Sequence, residues 1–407
     1  MTNENQHNNL SANRKTRSLK ELFEEQLDSL PFSSSGYQSI DEVLSSDQKA
    51  IEFINHVLYL DRNVYDVQID TQKLICKERA KHSVISFLFG LCVGDFCELL
   101  GNCSHIFDME NRRFIDINEP YINYKLWMMT SANHDYGYYS KYIHSDVEFN
   151  KLIRKLKIKH NVLDVKPSIL GMIDTRFERE RVMKNSSNKI IDYYDYARRF
   201  HKEREDYEIV DHGILGGLLI YDRIINQILE DNPMIANYLY DSNNYCDSGV
   251  YFNNVASYKA CCLTICQHNF FKSKDSVSDE LYGEQLRHLW HDRGYYIDKK
   301  HPLLLFLSLI DTIEHKKRFS TKNAWLRTNT LLEKVKLSVD KSLLIIDYSE
   351  LYAYLDKNLM QKHIKVLNDH INGVCNLETW TRFKANRIND YAVAITYDES
   401  NLTIDCN

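Results

Sequence analysis

Separate apolar stretches of the sequence each carry a histidine or an aspartate that could bind a metal ion. In chain order, the candidate ligands are His82, His134, Asp135, His212, His268 and Asp311. Imidazole and carboxylate together suit Mn, Fe, Co, Ni or Zn better than the all-oxygen ligand sets of Ca or Mg. Taken singly, each residue also has a structural interpretation, either as a histidine at a helix boundary or as a buried acid with hydrogen-bond partners.

The stretch around Asp311 illustrates both interpretations. PLLLFLSLIDTIEHKKRF begins with Pro302, a favourable first helical residue, and is then apolar on every side of a helix. Such a helix is buried, and a carboxylate within it is costly unless it is paired or binds a metal. Glu314 and His315 follow in the sequence. Either they contact the metal ligands from outside a metal site, or they are solvated helix residues.

Every candidate falls on a predicted helix. The predicted helical segments cover residues 71–100, 121–143 (a helix pair), 207–232, 255–271 and 302–319. The third of them contains Gly216 and Gly217, and each glycine costs about 1 kcal/mol relative to alanine inside a helix. We therefore expect close approach of another helix, or of a ligand, at this glycine pair.

Composition favours a helix-rich chain, because 407 residues include only 13 Gly and 5 Pro. The net charge of −6 does not indicate a nucleic-acid-binding surface, although a local basic groove is not excluded.

The apolar run at residues 84–94 is too short to span a bilayer. No secretory signal is evident, so we expect a cytoplasmic protein that does not bind membranes, with its ten cysteines reduced. Paired CxxC spacing is missing, which favours core thiols over a zinc site.

The pattern predicts an N-terminal arm, a helical domain and a small C-terminal unit. Residues 1–45 are polar and contain one short amphipathic helix, LKELFEEQLDSL. Residues 46–335 form the helical domain, with a basic, aromatic and helical insertion at about 146–206. Residues 336–407 read as strand, helix and strand, which predicts a small α/β appendage.

The order His, His-Asp, His, His, Asp resembles that of the HD-domain metal-dependent phosphohydrolases, specifically their two-metal branch. KHSVISFLFG is similar to the first-histidine helix, NHDYGYYSKY to the HDxG element, VDHGILGGLL and ICQHN to the third and fourth histidine elements, and HPLLLFLSLIDTIEH to the final aspartate helix. The resemblance covers residues 71–320. It implies a mainly α fold, an HD-domain helical bundle.

The resemblance also implies roles for the candidates. Asp135 would bridge two divalent transition metals, His82, His134 and Asp311 would complete one site, and His212 and His268 the other. Asp211 would orient a ligand or accept a proton, or else cap its helix. The cations expected to meet substrate phosphates are Lys141, Arg199, Arg204 and Arg318.

Some features depart from the pattern or compete with it. The chain has no GYP motif and only one histidine in Gln267-His268-Asn269, so degradation of cyclic di-GMP is not expected. The lysine that often follows HDxG is replaced by Tyr138. A second HDxG occurs at 291–294, but histidine helices flank only the first copy on both sides, which favours His134-Asp135.

The function expected from the resemblance is hydrolysis of a phosphate ester or anhydride of a nucleotide, a dNTP or a related nucleotide, through a metal-activated water. A bacterial role in nucleotide depletion or antiviral defence fits that class. The alternatives are an HD nuclease or phosphodiesterase acting on single-stranded or cyclic oligonucleotides, and a non-catalytic nucleotide sensor. The C-terminal unit would bind a nucleotide effector, form a homo-oligomer contact or serve only in packing.

Overall fold

The computed structural model describes residues 16–30, 39–58, 79–94, 105–108, 113–116, 120–135, 137, 147, 151, 181–184, 190–192, 212–231, 261–266, 268, 302–314, 328–340, 343–354, 357–369, 371 and 383–397. These residues are mostly helical, with a small antiparallel sheet near the C-terminus. The mainly α class predicted from composition is thereby confirmed. Among the described residues, no helix combines the length and apolar character needed to cross a membrane.

The helices follow the predicted apolar segments, with shorter bounds. They are α1 (Leu19–Ser29), α2 (Ile40–Val43), α3 (Asp47–Leu58), α4 (Arg79–Val93), α5 (Pro120–Asn133), α6 (His212–Asp231), α7 (residues 261–266), α8 (Pro302–Ile313), α9 (Thr328–Lys334) and α10 (Lys357–Asp369). Both α5 and α8 begin at a proline, whose fixed φ suits the first helical position. A short 3-10 helix, Ser349–Ala353, precedes α10.

Trp127 joins three of the helices that surround the candidate site. Its side chain on α5 is fully buried, and its Nε1 donates a hydrogen bond of 3.0 Å to the carbonyl oxygen of Phe87 on α4. Its ring centroid lies 4.5 Å from that of Phe306 on α8. A Cβ at Gly90 would collide with the indole, so α4 approaches α5 closely because residue 90 has no side chain.

The glycine pair on α6 faces α7, in agreement with the close approach of another helix that the pair predicts. A Cβ at Gly217 would collide with Sγ of Cys266 and would lie 2.5 Å from the carbonyl oxygen of Cys262. The absence of side chains at this point lets the backbones of α6 and α7 pack against each other, which brings the histidine of each segment into the same region.

The C-terminal unit contains more strands than the sequence pattern predicts. Its antiparallel sheet has the order β1-β6-β7-β9-β8. The strands are β1 (Arg17–Ser18), β6 (Lys336–Asp340), β7 (Leu343–Asp347), β8 (Phe383–Arg387) and β9 (Ala392–Tyr397). The segment SVDKSLLIIDYS, interpreted as one strand, is a hairpin in which Ser338 pairs with Ile345. The central strand β7 pairs with both β6 and β9.

Residues 17–29 belong to the core, which corrects the prediction of a separate polar arm for this part of 1–45. Strand β1 pairs with β6, and Ser18 forms a capping box with Glu21 at the start of α1. Leu19 and Phe23 are buried, and α1 packs against α4. The amphipathic pattern of α1 therefore serves packing within the chain.

The predicted insertion at 146–206 is not entirely helical. Strands β4 (Arg181–Lys184) and β5 (Ile190–Asp192) form an antiparallel pair. The β-branched residues Ile190 and Ile191, after a segment rich in Asn and Ser, favour this arrangement. A second pair, β2 (His105–Asp108) with β3 (Arg113–Asp116), lies where the sequence suggests only a charged turn.

Candidate metal centre

Two groups of histidine and aspartate side chains could each hold a metal ion. The first contains His82, His134 and Asp135, and the second contains Asp135, His212 and His268. Within each group, one nitrogen or oxygen atom from every residue lies within 4.8 Å of the others. Residues from α4, from the segment after α5, from α6 and from the segment after α7 are thus brought together, and Asp135 is common to both groups.

Asp135 presents different oxygens to different histidines. Its Oδ2 lies 3.4 Å from Nε2 of His82 and 3.5 Å from Nε2 of His134. Its Oδ1 lies 3.5 Å from Nε2 of His212. A carboxylate between imidazole nitrogens in this way can supply one ligand atom to each of two neighbouring cations.

Gly137 explains how the two groups come so close. Helix α5 ends at Asn133, and the chain then turns through His134 and Asp135 towards the start of α6. A Cβ at Gly137 would collide with the carbonyl oxygen of His212, the first residue of α6. Only glycine allows this backbone contact, which holds Asp135 beside His212.

Backbone carbonyls orient two of the histidines. Nδ1 of His134 lies 2.7 Å from the carbonyl oxygen of Ser131, and Nδ1 of His268 lies 2.6 Å from that of Ile265. Because a carbonyl oxygen can only accept, each Nδ1 carries the proton. Each Nε2 is then left as a neutral donor atom facing the centre, as metal-binding histidines require.

Helix α8 contributes two carboxylates. Oδ1 of Asp311 lies 3.3 Å from Nε2 of His134, so the predicted ligand is part of the same cluster. Oε2 of Glu314 lies 3.1 Å from Nδ1 of His82, and Glu314 is fully buried. The solvated alternative for Glu314 is therefore wrong. Its position one helical turn after Asp311 indicated that it could reach the same site. The charged residues that follow it, however, are typical of a solvated helix end.

His268 provides the clearest test of whether a metal fits. Its side chain is buried, and its Nε2 has no hydrogen-bond partner among the described residues. Burial, and after it the nearby His134, lower the pKa of His268 to about 4, so the ring is neutral at pH 7. A buried polar atom without a partner costs about 1–3 kcal/mol, a cost that metal coordination would remove. The donor set is therefore suited to a divalent cation.

The remaining predicted residues are outside the described parts of the chain. They are Asp211, the phosphate candidates Lys141, Arg199, Arg204 and Arg318, the outer candidate His315 and the second HDxG at 291–294. The described cysteines Cys92, Cys261, Cys262 and Cys266 are buried thiols that form no disulfide, which confirms the core-thiol prediction for them. Burial raises the pKa of Cys261 to about 12, so its thiol stays protonated at pH 7.

Comparison with known proteins identifies no relative: no family model, curated protein or solved structure matches the chain. What can be inferred about its function comes from the residues themselves, namely the buried His/Asp cluster and the order of its members along the chain.

Proposed function

We propose that this chain is an HD-type metal-dependent phosphohydrolase that cleaves a phosphate ester or anhydride of a nucleotide, a dNTP or a related nucleotide. The observation that carries the proposal is the pair of buried His/Asp groups joined by Asp135. The order of the same residues along the sequence, which resembles that of HD-domain phosphohydrolases, supports it further.

Two divalent transition metals are the proposed cofactors. His82, His134, Asp135 and Asp311 would hold one, and Asp135, His212 and His268 the other. Nitrogen and oxygen donors in this mixture favour Mn, Fe, Co, Ni or Zn. When bound, such a pair lowers the pKa of a water molecule and withdraws charge from a phosphoryl group.

The protein's own residues would prepare this chemistry by fixing the donors in a dry setting. The carbonyls of Ser131 and Ile265 hold the rings of His134 and His268 in one tautomer. Because both rings are buried, bulk water does not compete for their Nε2 atoms. Electrostatic attraction between donors and cations is stronger at such a site than at the surface.

Exposure indicates the side from which a substrate would arrive. The side chains of Asp311 and His212 are 25% and 13% exposed, whereas those of His82 and Asp135 are 4% and 3% exposed. A nucleotide phosphate would therefore reach the cluster past Asp311 and His212. The cations proposed to meet it are Lys141, Arg199, Arg204 and Arg318.

A substrate panel tests the proposal. Purified protein is incubated with Mn²⁺, Fe²⁺ or Co²⁺ and with dNTPs, NTPs, dinucleotides, cyclic dinucleotides or a single-stranded oligonucleotide, and the products are separated by chromatography. The matched variants are Asp135→Asn, which removes the shared carboxylate charge, and Asp28→Asn, which makes the same change at an exposed position on α1.

The products distinguish the candidate functions. Metal-dependent release of phosphate, pyrophosphate or triphosphate from a nucleotide, lost in Asp135→Asn and kept in Asp28→Asn, supports the proposal. Shortened oligonucleotides, or linear products from the cyclic dinucleotides, with mononucleotides untouched would replace it with the nuclease or phosphodiesterase alternative. Saturable nucleotide binding without turnover under any metal would favour a nucleotide sensor. A dNTP as the preferred substrate would fit a role in bacterial antiviral defence by nucleotide depletion.

A further inference from the structure

The group at Nδ1 of His82 differs from those at Nδ1 of His134 and His268, because it is the carboxylate of Glu314. His134 and His268 donate from Nδ1 to backbone carbonyls, which are neutral acceptors. Nδ1 of His82 instead lies in close contact with a carboxylate, 3.1 Å from Oε2 of Glu314. A carboxylate next to Nδ1 attracts the Nδ1 proton more strongly than a carbonyl does, so it raises the basicity of Nε2 on the opposite side of the ring.

The geometry leaves Nε2 of His82 directed at the centre. That atom lies 3.3 Å from Nε2 of His134 and 3.4 Å from Oδ2 of Asp135. Glu314 and Asp135 therefore contact opposite nitrogens of one ring. Because Glu314 is fully buried, solvent screens its interaction with His82 only weakly.

Helix α8 and the residue that follows it each place a carboxylate on a histidine of the first group. Asp311 reaches Nε2 of His134, and Glu314, one turn later, reaches Nδ1 of His82. The helical pattern continues to this point, since the amide of Glu314 donates to the carbonyl of Ile310 at 2.9 Å. In the second group, the carboxylate among the described donors is the shared Asp135.

We propose that Glu314 is a positioning residue for His82, and that its carboxylate makes the group of His82, His134 and Asp135 the tighter of two metal sites. Together with Asp311, the first group combines two imidazoles with two carboxylates, and the carboxyl group of Glu314 lies against Nδ1 of one ring. Among the described residues, the second group has two imidazoles and the shared carboxylate. The sites therefore fill in order, the His82 site first.

The test measures metal affinity without substrate. Co²⁺ or Zn²⁺ is titrated into metal-free protein against a chelating indicator for the wild type, Glu314→Gln, and Glu350→Gln. Glu314→Gln keeps the size of the side chain and removes its charge, while Glu350→Gln makes the same change at an exposed carboxylate in the C-terminal unit. Circular dichroism and thermal unfolding of the metal-free proteins establish that each variant folds.

We expect Glu314→Gln to raise the Kd of the tighter metal by about 10- to 100-fold, the usual effect of losing an outer partner of a ligating histidine. The Kd of the weaker metal should change by less than about 2-fold, and Glu350→Gln should match the wild type. If Glu314 acts through His82, adding Glu314→Gln to a His82→Asn variant should cause little further loss. Should Glu314→Gln fail to fold, Glu314→Asp, which withdraws the charge from the ring, should show a smaller loss in the same site.

The outcomes separate this inference from the proposed function on which it rests. Wild-type protein that binds no metal would overturn both. Wild-type protein that binds metal while Glu314→Gln retains both affinities would overturn the role of Glu314 and leave the phosphohydrolase proposal standing. A loss confined to the weaker metal, or a full additional loss in the His82→Asn background, would also overturn it.

Discussion

Oδ1 of Asp135 lies 3.5 Å from Nε2 of His212, while Oδ2 of the same carboxylate lies 3.4 Å from Nε2 of His82. The two histidines belong to α6 and α4, which are far apart in the sequence. Asp135 thus joins the two groups that could hold a metal, and changes to it should affect both groups together.

Replacement of Asp135 by asparagine should weaken metal binding at both sites. The amide keeps the size of the side chain but removes the negative charge that faces three imidazole rings. We expect the metal content after dialysis to fall and any hydrolytic rate to drop by more than about 100-fold, because loss of a shared ligand should cost more than loss of an outer partner, which costs about 10- to 100-fold. Elemental analysis and single-turnover kinetics measure the two effects. Normal loading of both sites in Asp135→Asn, beside the Asp28→Asn control, would refute the bridging role.

Gly137→Ala should separate Asp135 from His212. The added Cβ would collide with the carbonyl oxygen of His212, and overpacking of this kind costs about 1–3 kcal/mol. We expect a lower Tm and weaker metal binding by the folded protein. Gly90→Ala is the control, because its Cβ would meet Trp127 elsewhere on the α4–α5 contact. That variant should lose stability but keep the metal affinity; equal affinities in both variants would argue against the Gly137 contact.

His268 should make the metal-free protein less stable in mild acid. Its pKa is about 4 in the folded state and about 6.5 when unfolded, so between these values the unfolded chain binds the additional proton. The free energy of unfolding should therefore fall as pH drops from about 6.5 to 4, by roughly 3 kcal/mol from this residue. Denaturant unfolding with a chelator present measures it. His268→Asn should lose this part of the pH dependence, and identical pH profiles would contradict the buried neutral state.

Phe23→Ala should strongly destabilise the protein. Phe23 is fully buried on α1, and truncation of a buried phenylalanine costs about 3–5 kcal/mol. Asp28→Ala, at an exposed position on the same helix, should change the free energy of unfolding by less than about 0.5 kcal/mol. Thermal and urea unfolding compare the two variants. Similar stability for both would mean that residues 17–29 are a separate arm after all.

The candidate ligands could be selected from the sequence because each lies in an apolar segment and because their order along the chain resembles that of HD-domain phosphohydrolases. His82, His134, Asp135, His212, His268 and Asp311 are all described and lie in one cluster. Glu314 was harder to predict, since it precedes the charged residues His315 to Arg318, which are typical of a solvated helix end. Only the packing of α8 against α4 shows that the residue points inwards.

The sheet was less predictable because its register depends on distant segments. Strand β1 has two residues, too few for any periodicity, and pairs with β6 near the opposite end of the sequence. The β6–β7 hairpin was interpreted as one strand because both arms share the same apolar composition. The hairpins β2–β3 and β4–β5 were missed because their strands have only three or four residues.

The most direct test of the metal centre is the metal stoichiometry of the purified protein. Equilibrium dialysis against Mn²⁺, Co²⁺ or Zn²⁺, followed by elemental analysis, compares the wild type with His82→Asn, His268→Asn and Asp135→Asn. We expect two metals per chain in the wild type, one after loss of either histidine and fewer than one after loss of Asp135. Wild-type protein that takes up none of these metals, or histidine variants that load like the wild type, would contradict it.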